Sequence, residues 1–205
     1  MKKLWYFSAE KSSRDPNVIF HNGKYYACFA GKDDSIGICV SETVEGLGAA
    51  PVKTVFKPET GTPYSKQLWA PELHIIDGGC YIYVACDDGD NHTHRMYVLA
   101  NDSLDPMADY HMAGKIGDDT DKWAIDGTIV NYKNERYFVW SGWEGDTNVC
   151  QKLYIAKMKS PTELEGERYL ISEPEYDWEK LGATGEDESP FINEGAFPVW
   201  LDGAK

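Results

Sequence analysis

The chain has 205 residues, the size of one domain, and its 42% hydrophobic content is enough to bury a core. A formal net charge of −14, with no cluster of Lys or Arg, argues against a nucleic-acid or anionic-membrane partner. The 13 Tyr, 7 Trp and 7 Phe fall largely in short alternating runs, which favours strands, and no helix is predicted. Residues 1–9 hold two lysines but no apolar stretch of signal-peptide length, and no window approaches a membrane span. A cytoplasmic location is the expectation, with secretion left open if the N-terminus is incomplete. The five cysteines lack CxxC spacing, so neither a zinc site nor a disulfide framework is implied. Cys28, Cys80 and Cys86 sit in apolar or aromatic runs, where a thiol serves as a small hydrophobe.

Along the chain one pattern recurs. Arg14-Asp15-Pro16 leads into Asn17-Val18-Ile19-Phe20, a turn at Asn22-Gly23, and the run Tyr25-Tyr26-Ala27-Cys28-Phe29-Ala30. Ile36 to Ser41 supplies a third run, and residues 43–51 read as a connector between repeats. The second copy runs from Trp69-Ala70-Pro71-Glu72 through Leu73-His74-Ile75-Ile76 and Asp77-Gly78 to Tyr81-Ile82-Tyr83-Val84, with Met96 to Ala100 following. The third begins at Trp123-Ala124-Ile125-Asp126-Gly127, turns at Lys133-Asn134, and continues as Tyr137-Phe138-Val139-Trp140-Ser141 and then Leu153 to Met158. A fourth opens with Asn193-Glu194-Gly195 and Ala196-Phe197-Pro198-Val199-Trp200-Leu201, reaches Asp202-Gly203, and the chain given stops.

Each copy is a β-hairpin whose turn residues tolerate positive φ. The repeat length of roughly 55–70 residues matches the longer propeller blades, and such a blade cannot bury both faces alone. The expected architecture is all-β: an incomplete propeller of three blades and the start of a fourth, forming a single domain over residues 1–205. A sandwich of hairpins is the alternative, but it has no reason to repeat an acid before each hairpin.

In a propeller the first strand of each blade lines the central channel, so Asp15, Glu72, Asp126 and Glu194 would converge on one pocket. Neighbouring carboxylates raise one another's pKa, which is costly unless used. Glycoside hydrolysis uses it: one carboxyl stays protonated to serve the leaving oxygen, and another stays ionised to activate water. Taken singly, Asp15 before Pro16 and Asp126 before Gly127 are equally turn formers. Trp69 and Trp123 each stand three residues before an acid, and Trp140 and Trp143 follow the third hairpin; indoles stack on the C–H faces of sugars.

At these residues the chain resembles glycoside hydrolase family 43, five-bladed propellers that include arabinofuranosidases, arabinanases and β-xylosidases. Ser13-Arg14-Asp15-Pro16-Asn17-Val18 is similar to the family's opening Asp-Pro motif, and Leu68-Trp69-Ala70-Pro71-Glu72 to its second-blade motif. Trp123-Ala124-Ile125-Asp126-Gly127-Thr128 and Asn193-Glu194-Gly195 are similar to its third- and fourth-blade segments. The resemblance covers residues 14–199 and implies Asp15 as general base, Asp126 as the group that tunes and orients the acid, and Glu194 as general acid. Trp69, Glu72, Phe29, Ser141 and Trp143 are the candidate substrate contacts. It further implies inversion, a carboxyl separation of roughly 6.5–9.5 Å, and an arabinose- or xylose-containing oligosaccharide as partner. Two departures stand out. Ala196 follows Gly195 where relatives carry Pro, and a five-bladed ring needs about 250–300 residues. None of His21, His74, His92, His94 and His111 takes the place of the family's channel histidine, so no metal or other cofactor is expected.

Asp87-Asp88-Gly89-Asp90-Asn91 looks like a calcium loop but lacks the later Glu, and reads as a polar inter-strand loop. His92 and His94 read as strand- or loop-edge residues without a third ligand. Residues 182–190, Gly- and acid-rich, read as a mobile loop beside the pocket. The competing functional readings are a non-catalytic sugar-binding propeller fragment, and one part of a split enzyme with a complementing chain or self-association through open blade edges.

Overall fold

The computed structural model describes residues 14–101, 103–181 and 190–199. The chain divides into two compact units, Met1–Lys115 and Ile116–Lys205. Among the described residues, helical structure is confined to the 3-10 turns Glu45–Gly48 and Asn91–Thr93.

The first unit holds two four-stranded meanders. In one, β1 (Arg14–His21), β2 (Lys24–Ala30), β3 (Ile36–Ser41) and β4 (Lys53–Phe56) lie side by side in chain order. In the other, β5 (Lys66–Ile76), β6 (Gly79–Asp87), β7 (Arg95–Asn101) and β8 (His111–Lys115) do the same. The hairpin turns fall where the sequence predicts. Asn22 and Gly23 have φ of 48° and 78°, and Asp77 and Gly78 have 48° and 87°. These are the left-handed pairs that match strand twist in a two-residue hairpin. Interior strands carry unbroken buried runs, as in β2 and β6, because both faces are covered. Tyr26, Cys28 and Ile38 of the first sheet and Leu73, Cys80, Ile82, Val84 and Cys86 of the second form one apolar cluster. Burial pushes the Cys28 and Cys86 thiols up, Glu72 adding to the effect at Cys28 and Asp87 at Cys86. These cysteines are core residues.

Polar ties also join the sheets. The Leu73 amide donates to Asn17 Oδ1 at 3.1 Å, and the Tyr110 amide to the Val55 carbonyl at 2.9 Å. Residues 43–51, expected to connect repeats, instead join β3 to β4 within one sheet. Their 3-10 turn lowers Leu47 onto Phe29 and Cys39, covering the other face of the sheet. The sequence reading missed the outer strand because β4 is short and opens on exposed Lys53 and Thr54.

The second unit is built on β9 (Ala124–Tyr132), β10 (Glu135–Trp143), β11 (Cys150–Ser160) and β12 (Glu163–Ser172), again in chain order. Its first turn, Lys133-Asn134, is left-handed at both residues. A short strand β13 (Phe191–Ile192) pairs in parallel with Cys150 and Gln151, the stretch of β11 that β12 does not reach. Ala196 to Val199, predicted as the strand opening a fourth hairpin, is not extended into a ladder. Its hairpin partner would follow Asp202-Gly203, which lies with Trp200 and Leu201 outside the described residues. Residues 182–189 of the predicted loop also lie outside them.

Candidate active site

The first strand of every sheet carries the same irregularity. Pairing of β1 with β2 steps from Arg14–Ala30 to Asn17–Cys28, so Asp15 and Pro16 together face Phe29. In β9 the step from Ile125–Ser141 to Thr128–Val139 sets Asp126 and Gly127 against Trp140. In β5 the step from Trp69–Ala85 to Glu72–Tyr83 sets Ala70 and Pro71 against Val84. Each is a bulge whose first residue is left-handed, with φ of 50° at Asp15, 53° at Asp126 and 41° at Ala70. Aspartate tolerates that conformation because its short polar side chain can bond locally. A bulge re-aims side chains at a strand end, which explains its recurrence at the acidic positions.

The register corrects one expectation. Glu72 is the counterpart of Asn17 and Thr128; the place of Asp15 and Asp126 in the second sheet belongs to Ala70. Pro16 and Pro71, each second in its bulge, are the sequence signal for this alignment. Glu72 instead has Oε2 3.0 Å from His74 Nε2, both side chains half-buried. Trp69 lies between two bulges, since the step from Lys66–Asp87 to Trp69–Ala85 adds a second at Gln67, φ 49°. The Gln67 amide donates to Asp34 Oδ1 at 3.0 Å, which fixes that second kink. Behind the half-buried Trp69 ring stands His94, with ring centroids 4.3 Å apart. His94 Nδ1 lies 2.8 Å from Asp87 Oδ2, and both side chains are completely buried. The carboxylate accepts, so Nδ1 carries the proton. His94 stands at the edge of β7, as the sequence suggests, but with its side chain buried. Asp87 leaves the polar loop to end β6, its Oδ1 accepting the Gly89 amide at 2.8 Å.

In the second unit Asp126 and the Glu194 segment come together. The Gly195 amide donates to Asp126 Oδ2 at 3.0 Å, and Gly195 is left-handed at φ 65°. Glu194 itself is exposed, and Asp126 is half-buried. The bond ties Asp126 to the backbone that immediately follows Glu194. Asp15 belongs to the first unit, is exposed, and has Arg14 beside it bonded to the Gly31 carbonyl at 3.2 Å.

Three expected sugar contacts are interior residues in their own units. Phe29 is 2% exposed, packed with Leu47 and Cys39. Trp143 is stacked on Trp123, centroids 4.9 Å apart at 11°, and its amide donates to the Trp123 carbonyl at 3.1 Å. Ser141 is fully buried and donates through Oγ to the Asn193 carbonyl at 2.9 Å. Phe29 lies opposite the bulge at Asp15, Trp143 stacks on the indole three residues before Asp126, and Ser141 holds the Glu194 segment. The sequence reading missed Asn193, whose bonds all reach distant residues. Among the described residues no group of three or more His, Cys, Asp or Glu is placed to hold a metal ion.

The model of the family described as Glycosyl hydrolases family 43 matches residues 9–204. The chain is 32% identical over 193 residues to Alpha-L-arabinofuranosidase 43 of Humicola insolens, covering 92% of this chain and 39% of that protein. It is 28% identical over 193 residues to the extracellular exo-alpha-(1->5)-L-arabinofuranosidase of Streptomyces chartreusis, covering 92% of this chain and 57% of that one. Among solved structures, the alpha-L-arabinofuranosidase from Lactobacillus brevis aligns with a TM-score of 0.75 at 32% identity, over 82% of this chain and 56% of that one. The chain therefore spans between 39% and 57% of the length of these relatives. Its three sheets are blades of the five-bladed propeller predicted from the sequence, present in part. The chain belongs to glycosyl hydrolases family 43.

Proposed function

We propose that this chain is part of a glycosidase that removes terminal α-L-arabinofuranosyl residues, with β-xylosyl residues the nearest alternative, from plant polysaccharides or oligosaccharides. Asp15 takes a proton from water as it attacks the anomeric carbon. The C–O bond to the leaving group breaks on the opposite face, and Glu194 delivers a proton to that oxygen. Attack and departure on opposite faces invert the centre, and the proton account closes with one taken and one given. Asp126 holds the Glu194 segment and keeps the acid protonated until it is needed. The observation that carries this reading is the bond from the Gly195 amide to Asp126 Oδ2, which seats one carboxylate beside the segment bearing another. Trp69, backed by His94, offers an aromatic face to the sugar.

Hydrolysis of p-nitrophenyl α-L-arabinofuranoside tests it. Asp15→Ala and Glu194→Gln should each lower kcat by about 10²–10⁴-fold, the usual worth of a general base or acid. Full activity in either variant rejects the assignment. The chain covers 56% of the length of the Lactobacillus brevis enzyme, and this favours one second reading, sugar binding without turnover. Arabino-oligosaccharide binding by an unaltered chain that hydrolyses nothing would select it.

A further inference from the structure

The residues on both sides of Glu194 are held by five groups of the second unit, three on the backbone and two on the Asn193 side chain. Before it, the Asn193 amide donates to the Gln151 carbonyl at 3.0 Å, which extends the parallel pairing of β13 with β11 by one bond. The Asn193 carbonyl accepts from the fully buried Ser141 hydroxyl at 2.9 Å. The Asn193 side-chain amide donates to Ser172 Oγ at 3.0 Å and to Glu179 Oε1 at 3.4 Å. After it, Gly195 is tied to Asp126. Glu194 lies between these ties and is exposed.

Glu179 serves two purposes at once. Its Oε2 accepts the Glu175 and Tyr176 amides, each at 2.9 Å, closing the turn that follows β12. Those backbone donors, Tyr176 first, hold its carboxyl below the usual carboxylate range, with Asn193 contributing in the same direction. One carboxylate thus links the post-β12 turn to the residue before Glu194.

We propose that Asn193 and Ser141 are positioning residues that fix the backbone from which Glu194 delivers its proton, with Glu179 anchoring the Asn193 side chain. This rests on the reading of Glu194 as the general acid. An acid held loosely still lies near the leaving oxygen but spends less time aligned with it, and a displacement of about 1 Å can cost 10²-fold. The loss falls on substrates whose leaving group needs the proton. A leaving group that departs as a stable anion is spared.

Two measurements on Asn193→Ala and Ser141→Ala decide the matter. In the first, amide hydrogen exchange of the 205-residue chain should show protection at Gly195 falling by about tenfold or more, while Tyr137 and Val139 in the β10–β11 ladder stay within about twofold. Unchanged protection at Gly195 in both variants overturns the proposal whether or not the chain is active. In the second, hydrolysis is compared across aryl α-L-arabinofuranosides of graded leaving-group acidity. The expected result is a kcat loss of about 10–10²-fold on poor leaving groups and little loss on good ones, with KM held. An equal loss across the series marks general destabilisation and refutes a positioning role. Full activity of Glu194→Gln removes the acid reading instead, and does so without touching the exchange result.

Discussion

The buried pair behind Trp69 makes the sharpest stability prediction. Asp87 and His94 are both completely enclosed, joined by a 2.8 Å bond, and Asp87 also holds the Gly89 amide. Asp87→Ala removes the acceptor from both N–H groups and opens a small void. Leaving the imidazole N–H and the Gly89 amide without that acceptor costs about 1–3 kcal/mol each, a large share of the 5–15 kcal/mol typical of a domain. Asp87→Asn keeps one oxygen for Gly89 and should cost less, about 1–3 kcal/mol. The pH dependence has a definite sign. Burial holds His94 below the usual imidazole range, with Asp87 opposing that shift. Between the native value and about 6.5 the unfolded chain binds a proton that the native chain refuses. The contribution is therefore complete above that window and lost as pH falls through it, at no more than about 1.4 kcal/mol per pH unit. Without Asp87 the native His94 refuses the proton to still lower pH, so the deficit of Asp87→Ala should grow as pH falls through the range in which wild-type His94 takes up its proton. Urea unfolding followed by tryptophan emission, with midpoints compared at constant m, measures this. A variant with the wild-type midpoint, or a deficit that shrinks on acidification, contradicts the reasoning.

Three further substitutions probe the frame of the site. Trp123→Ala removes half of a buried indole stack and should cost about 3–5 kcal/mol, read by thermal unfolding. Gly142→Ala would bring a methyl to 2.9 Å from the Trp123 carbonyl; a backbone atom cannot swing aside, so a loss of about 1–3 kcal/mol is expected in chemical denaturation. Asn17→Ala removes the acceptor for the Leu73 amide and should cost about 1–2 kcal/mol, with faster exchange confined to Leu73 and its neighbours in β5. Wild-type exchange at Leu73 in that variant would show that Asn17 does not protect that amide.

The parts of this molecule legible in the sequence are those in which local chemistry and burial agree. Asn22-Gly23, Asp77-Gly78 and Lys133-Asn134 mark hairpins because both turn residues must be left-handed, and all six are. Interior strands announce themselves through continuous apolar runs. The outer strands do not: β8 alternates exposed and half-buried positions around Gly114, and β12 is exposed along most of its length. They are held by pairing to the preceding strand rather than by their own composition. Counting along the chain also fails at a bulge, because one extra residue reverses which face each following side chain takes. Nearness of an acid to the hairpin misleads too: Glu72 stands five residues before its turn, Asp15 and Asp126 seven before theirs, and the ladder gives the seventh place to Ala70.

Asn193 shows the other boundary. Nothing in Ile192-Asn193-Glu194 distinguishes it, and its partners Glu179, Ser172 and Ser141 lie 14, 21 and 52 residues away. Asp126 is where the two kinds of information meet. Its left-handed φ and the following Gly127 are readable locally, and its bond to Gly195 spans 69 residues. A local strain that aspartate tolerates aims the carboxylate, and a long-range bond gives the strain its use. Ala70 has the same backbone strain without a carboxylate to aim, so the bulge belongs to the blade and the acid to the site. Restoring an acid there by Ala70→Asp should therefore leave the fold intact, because aspartate accepts φ near +50° at least as readily as alanine. A variant that unfolds would mean that the side chain at this position, rather than the backbone, sets the bulge.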